Sequence, residues 1–196
     1  DWGDGSTSEV TSFGDGDKTH SYAAAGDYII SISGSAEAWG FNGGGDKNKI
    51  IHVYDLGDLG WISLDGAFSG CANLESFTGG VTSSVTNMRR MFSGTAALTN
   101  PDFSNLDTSV VTDMSYMFDG ATGITDLDLS NFVTTSVLNM SNMFKGVTGI
   151  TDLDVSNFVT TSVTNMSYMF YGSTGITDLD LSTFNTSSVI SMNSMF

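Results

Sequence analysis

The chain has 196 residues and 40% apolar content, enough for one or two domains with a sizeable core. Twenty-two acidic residues against six basic ones give a net charge of −16, which repels phosphate backbones and anionic lipid and argues against nucleic-acid binding. No apolar run approaches the ~18 residues of a membrane helix, so no membrane insertion is expected.

The chain opens on Asp1 without a visible signal peptide, so it is expected to begin inside a longer or processed gene product. Residues 1 to about 34 read as β-structure. Trp2-Gly-Asp-Gly and Gly14-Asp-Gly-Asp are turn signals, and the alternation of Tyr28, Ile30 and Ile32 with Ile29, Ser31 and Ser33 predicts a strand. Two or three strands are too few for an independent sandwich, so this piece is a remnant of a larger domain or packs onto the first unit of a solenoid. A glycine-rich loop, Gly40-Phe-Asn-Gly-Gly-Gly, ends it. Next, 50–56 reads as a strand, and Trp61, Leu64, Ala67 and Phe68 begin a degenerate repeat unit. Cys71, the lone cysteine, permits no internal disulfide and reads as a small buried hydrophobe.

From residue 84 a repeat dominates. Met-Phe recurs at Met91-Phe92, Met117-Phe118, Met143-Phe144, Met169-Phe170 and Met195-Phe196, always 26 residues apart, within SVTNMRRMFSG, VVTDMSYMFDG, SVLNMSNMFKG, SVTNMSYMFYG and SVISMNSMF. Val137, Met140, Met143 and Phe144 fall at i, i+3, i+6 and i+7, the face of a short helix, with Ser136 as its N-cap and Gly146 at its end. In GITDLDLSNF, Leu127 and Leu129 alternate with Asp126 and Asp128, which predicts a half-buried strand. One strand and one short helix cannot bury a core alone, but stacked units can. The predicted fold is therefore an α/β repeat solenoid, leucine-rich-repeat-like, with one short parallel strand and one short helix per 26-residue unit, behind a small N-terminal β segment. Its expected parts are 1–46 (β segment and linker), 47–84 (capping units) and 85–196 (regular repeats). Parallel strands are expected near 126–130, 152–156 and 178–182. The chain stops at Phe196 in mid-unit, so continuing chain, further copies of it or a partner is expected to cover that end.

These units resemble the repeats of BspA-like leucine-rich-repeat surface proteins. The resemblance rests on Leu179-Asp-Leu-Ser182 with Ser162-Val-Thr-Asn-Met-Ser-Tyr-Met-Phe-Tyr-Gly172, and on 42–51, Gly60-Trp61 and 67–74 before the regular units. Asp1-Trp-Gly-Asp-Gly5, His20-Ser-Tyr22 and Gly26-Asp-Tyr28 are similar to the second half of a PKD-type β-sandwich. Many units of the family carry Cys after Met-Phe-x-Gly, where this chain has Cys71 but then Thr95, Ala121, Val147 and Ser173. The resemblance implies surface display and adhesion, and supplies no binding residues. Similar repeats on bacteriophage virion proteins imply the alternative of a structural or decoration component of a virion or extracellular filament. Either way the expected location is extracellular, on a cell or virion surface.

No enzyme is expected, because identical units offer arrays rather than a unique constellation. His20 and His52 are far apart, no Gly-x-Ser-x-Gly elbow exists, and 43–47 lacks the Gly-Lys-Ser/Thr of a phosphate loop. No cofactor is expected beyond a divalent cation on two in-register files, Asp126, Asp152, Asp178 and Asp128, Asp154, Asp180. The first of these files, with Tyr116 and Tyr168 between the paired methionines, makes up the candidate contacts for a protein or glycan partner. Thr134, Thr160 and Thr186 form another file, but neighbouring acids and bulky groups argue against an ice-binding face.

Overall fold

The computed structural model describes residues 1–12 and 14–196. The chain divides into two compact units, Asp1–Ser35 and Ala36–Phe196.

In the first unit the glycine turns and aromatic residues of the sequence converge. Trp2 stacks on His20 with ring centres 5.0 Å apart, Tyr22 meets His20 edge-on, and Tyr22 and Tyr28 stack at 4.0 Å. Asp4 accepts from the Ser6 hydroxyl at 2.6 Å, from His20 Nε2 at 2.8 Å and from the Ser6 N–H at 3.0 Å. These bonds, the Ser6 hydroxyl first, hold the Asp4 carboxyl down at about 2. The expected strand over 28–33 is not formed among the described residues. Its pairing is limited to Ser31, whose N–H and C=O bond to Asp1, and Ile29, Ile30 and Ile32 are all exposed. A strand needs partners along its length, and here one residue supplies them.

The second unit is built on one register. Ala38, Ser63, Asn87, Asp113, Asn139, Asn165 and Ser191 form a continuous series of parallel bridges, each to the next. It starts earlier than the expected boundary at 46/47, because the Phe41, Asn42 and Gly43 N–H groups already bond to Ala67, Gly66 and Ser69. Four backbone bonds then tie each Met-Phe segment to the following one. Met140 donates to Asn165 O, Asn142 to Ser167 O, Phe144 to Met169 O and Gly146 to Tyr171 O, at 2.9–3.0 Å. The same set joins 88–94 to 113–119 and 114–120 to 139–145.

This ladder corrects the expected helix. Among the described residues there is no α-helix, only the 3-10 turns Gly16–Lys18 and Lys47–Lys49. Alternate N–H groups of each Met-Phe segment point to the next turn and cannot close an α-helical i to i−4 ladder. The segments are instead runs of tight turns, such as Met143 N–H to Met140 O and Lys145 N–H to Asn142 O. Arg90, Tyr116, Asn142, Tyr168 and Ser194 have φ of 46 to 61°, and Gly94, Gly120, Gly146 and Gly172 of 67 to 72°. Positive φ at the third position is what a type II turn requires. Apolar spacing of i, i+3, i+6 and i+7 is met by such turns as well as by a helix.

The opposite limb carries short parallel pairing: β1 (His52–Val53) with β2 (Ser76–Phe77), then bridges Thr78 to Asp102 and Asp152 to Asp178. The longer strands expected at 126–130, 152–156 and 178–182 are cut short. Asp128, Asp154 and Asp180 each accept the N–H of Ser130, Ser156 or Ser182 at 2.8–2.9 Å, turning the chain after one inward pair.

Between the limbs lies the core. Val137, Met140, Met143 and Phe144 are fully buried, as are their counterparts one turn before and, but for slight exposure of Phe170, one turn after. Six phenylalanines, Phe68, Phe92, Phe118, Phe144, Phe170 and Phe196, stack ring on ring at 5.7–5.9 Å. Gly149 lets the turns close up: a Cβ there would stand 2.5 Å from Ile124 O.

Of the threonine file, Thr134 and Thr160 are internal, with Thr82 and Thr108 in earlier turns, while Thr186 is exposed. Thr82, Thr108, Thr134 and Thr160 are 1% exposed. Thr134 Oγ1 donates to Val159 O at 3.1 Å and accepts the Val159 N–H at 2.7 Å, and the other three treat the following turn the same way. Thr134→Val should therefore strand two buried backbone groups and cost roughly 2–5 kcal/mol in chemical denaturation, while Thr134→Ser should cost about 1. In the first unit, Asp4 stays unprotonated in the fold below the pH at which the unfolded chain takes up a proton. Its contribution is full above the ordinary value of 3.8 and is lost as pH falls toward about 2. Asp4→Asn should flatten that acid limb in a pH titration followed by the Trp2 signal.

Candidate recognition surface

Outward side chains of the Met-Phe turns form two neighbouring columns. One holds Arg90, Tyr116, Asn142, Tyr168 and Ser194, and the other Ser93, Asp119, Lys145 and Tyr171. After Tyr54, every tyrosine of the chain lies on these columns, and so does every basic residue except Arg89, which is adjacent. The Arg90 guanidinium sits 5.3 Å from the Tyr116 ring centre, within cation–π range. Lys145 Nζ lies 3.7 Å from Asp119 Oδ1, and Tyr168 meets Tyr171 edge-on at 5.6 Å. Burial pushes the Asp119 carboxyl up, against the pull of Lys145 and Arg90. Tyr168 and Tyr171 are 41% and 48% exposed, and Tyr116 is half-buried.

The first column is set on left-handed backbone. Its earliest member is Gly66, at φ 64°, the residue that suits such a turn. Later turns hold arginine and tyrosine there, at φ 54 to 61°. A bulky L-residue in this region costs on the order of 1–2 kcal/mol, so the requirements of the turn alone do not select these side chains. The flanking positions are occupied structurally instead: Asn87, Asp113, Asn139 and Asn165 each accept the N–H two residues on, at 2.8–3.0 Å.

The aspartate files lie where alternation put them, exposed, with Leu127 and Leu153 buried beneath. Their chemistry divides. Asp128, Asp154 and Asp180 are held below the usual carboxylate range by the Ser130, Ser156 and Ser182 bonds and are occupied in turns. Asp126, Asp152 and Asp178 remain free of such bonds. Among the described residues no group of three or more His, Cys, Asp or Glu side chains converges on a metal position. His52 Nδ1 lies 2.9 Å from Ser76 Oγ, but its other nitrogen meets no carboxylate among the described residues, so the pair lacks the group that would orient a catalytic base. Burial raises the Cys71 thiol to about 12, which removes it as a nucleophile.

Residues 62–176 and 140–196 match the model of a family described as "Mycoplasma protein of unknown function, DUF285". Together the matches cover more than half of the chain. The chain belongs to this family, one associated with BspA-like repeat surface proteins. No curated protein and no solved structure matches it. Among the described residues no helix is long and apolar enough to cross a membrane.

Tyr116 and Tyr168 were legible in the sequence because each interrupts a methionine pair. Arg90, Lys145 and Tyr171 were not, although a signal existed: across SVTNMRRMFSG, VVTDMSYMFDG, SVLNMSNMFKG and SVTNMSYMFYG these positions change most while the core positions stay. If the column is kept for contact rather than folding, Tyr168→Asn, which copies Asn142, should unfold at or above the wild-type temperature, with a gain of up to about 1 kcal/mol. Thermal melts of the two proteins measure this.

Proposed function

We propose that 36–196 is a leucine-rich-repeat-like solenoid of the BspA-like kind, preceded by a PKD-like segment, and that it is a non-enzymatic recognition module displayed outside the cell. It holds a macromolecular partner on the Arg90–Tyr168 column and its Lys145–Tyr171 neighbour. The observation that carries this reading is the changing residue on strained left-handed backbone within otherwise repeating turns, exposed at Arg90 and Tyr168. Tyrosine and arginine are the side chains that dominate binding energy at interfaces. The family's association with repeat surface proteins supports the extracellular setting.

The aspartate limb has a secondary part in this reading. It supplies a long-range field that keeps the modules apart and soluble. The test is saturable attachment of chain-coated beads to intact cells or matrix, competed by soluble chain. The triple variant Tyr116→Ala, Tyr168→Asn, Tyr171→Ser should abolish attachment, while Asp126→Asn, Asp152→Asn, Asp178→Asn should leave it within a few-fold. The reverse pattern would move the contact to the acidic limb. Stoichiometric copurification with virions or filaments, without saturable binding, would replace recognition by a structural role.

A further inference from the structure

We infer that the strip formed by Arg90, Tyr116, Asn142, Tyr168, Lys145 and Tyr171 takes an uncharged, extended glycan; this deepens the recognition reading above and rests on it. Charge narrows the ligand first. A net charge of −16 opposes a polyanion at long range, and the Arg90 guanidinium opposes a polycation at contact. A neutral ligand meets neither penalty.

The polar floor of the strip then matters. Asn142 lies in the row between Tyr116 and Tyr168, as the bonds Tyr116 N–H to Ser141 O and Asn142 N–H to Ser167 O fix. It is 7% exposed, and among the described residues the fully buried side-chain atom without a partner is Asp65 Oδ1, so the Asn142 amide keeps its contact with solvent. An amide that reaches solvent at the floor of the strip is open to a ligand in place of water. It offers two donors and an acceptor, a combination that matches neighbouring hydroxyls, which both give and take hydrogen bonds.

Ring spacing completes the match. Tyr116 and Tyr168 stand two turns apart, about 10 Å at roughly 4.8 Å per hydrogen-bonded turn. One turn is close to the length of one hexose in an extended chain, so two rings and the amide between them fall in step with successive sugars. A hexose presents an apolar C–H face to an aromatic ring and hydroxyls at its edge, and tyrosine has the same division into apolar body and polar tip. Arg90 is held over Tyr116 by the cation–π contact, and Lys145 is neutralised by Asp119, which leaves donors at the rim without a strong demand for an anion.

The experiment is affinity electrophoresis of the full chain in native gels containing a soluble β-1,4-glucan, a β-1,3-glucan, a mannan or heparin. Retardation by at least one neutral polysaccharide, persisting at high salt, is expected. Asn142→Gly, which keeps the left-handed turn as Gly66 does, and Tyr116→Ala should each weaken it about tenfold, the scale of one aromatic or polar contact. Near-native melting of Asn142→Gly keeps the comparison on folded protein. Retardation by heparin alone, abolished by salt, would overturn the neutral-glycan assignment but leave the strip as the contact. So would attachment to a cell-surface protein that is lost in the same variants while every polysaccharide fails. Neutral-polysaccharide binding unchanged in both variants would overturn the strip as the contact and move recognition to another face of the chain.

Discussion

The backbone amide that leaves one turn and finds its acceptor in the next is the interaction on which the second unit depends. Once Met140 bonds to Asn165 and Phe144 to Met169, residues 26 apart are neighbours, and each side chain meets its own counterpart above and below. Like must then pack on like. Phenylalanine rings align in one stack, methionines fill the gap beside them, and the flexible thioether adapts where a stiffer side chain would leave voids. The same register converts threonine from a surface residue into a buried clip, since one hydroxyl serves both the N–H and the C=O that a departing turn leaves unpaired.

The rule of like on like is a difficulty for charge. Two files of aspartate run along the outer side of the strand limb, and stacked carboxylates repel by about 1 kcal/mol or less per pair in water-like surroundings. The turn geometry absorbs one file: Asp128, Asp154 and Asp180 spend their oxygens on serine N–H groups, which favours the ionised form locally. The other file, Asp126, Asp152 and Asp178, has only solvent and salt to relieve it.

Much of this was readable in advance, for a physical reason. Burial repeats with the register, so the period, the inward Leu127 and Leu153, and the buried Met140, Met143 and Phe144 were all visible in the pattern of apolar residues. The sign of φ was not. Tyr116 and Tyr168 carry no mark of left-handed backbone, and only Gly66 in an aligned earlier turn hints at it. Apolar spacing alone therefore points to a helix where tight turns occur. Thr134 and Thr160 look like surface residues because threonine is usually exposed, and no sequence rule says that its hydroxyl will meet a backbone pair 25 residues away. In the first unit, turn residues such as Asp4 were legible, but extended residues over 28–33 looked like a strand because alternation reports faces and not partners.

The site arises from the same division between what a stack must repeat and what it leaves free. Inward positions are constrained by their counterparts in both neighbouring turns, so a change in one unit is felt in three. Outward positions on the Met-Phe turns have no such constraint, and there the chain carries arginine, tyrosine, asparagine and lysine in place of one repeated residue. Free variation alone would drift toward residues comfortable at positive φ, chiefly glycine and asparagine. Asn142 fits that drift and Tyr116 and Tyr168 run against it, on two turns that flank it. Drift explains one residue of the three and contact explains all of them, since an amide that still reaches solvent and two rings beside it are complementary parts of one surface. The stack thus supplies a rigid ruler of fixed spacing, and chemistry is written on its outer edge one side chain per turn.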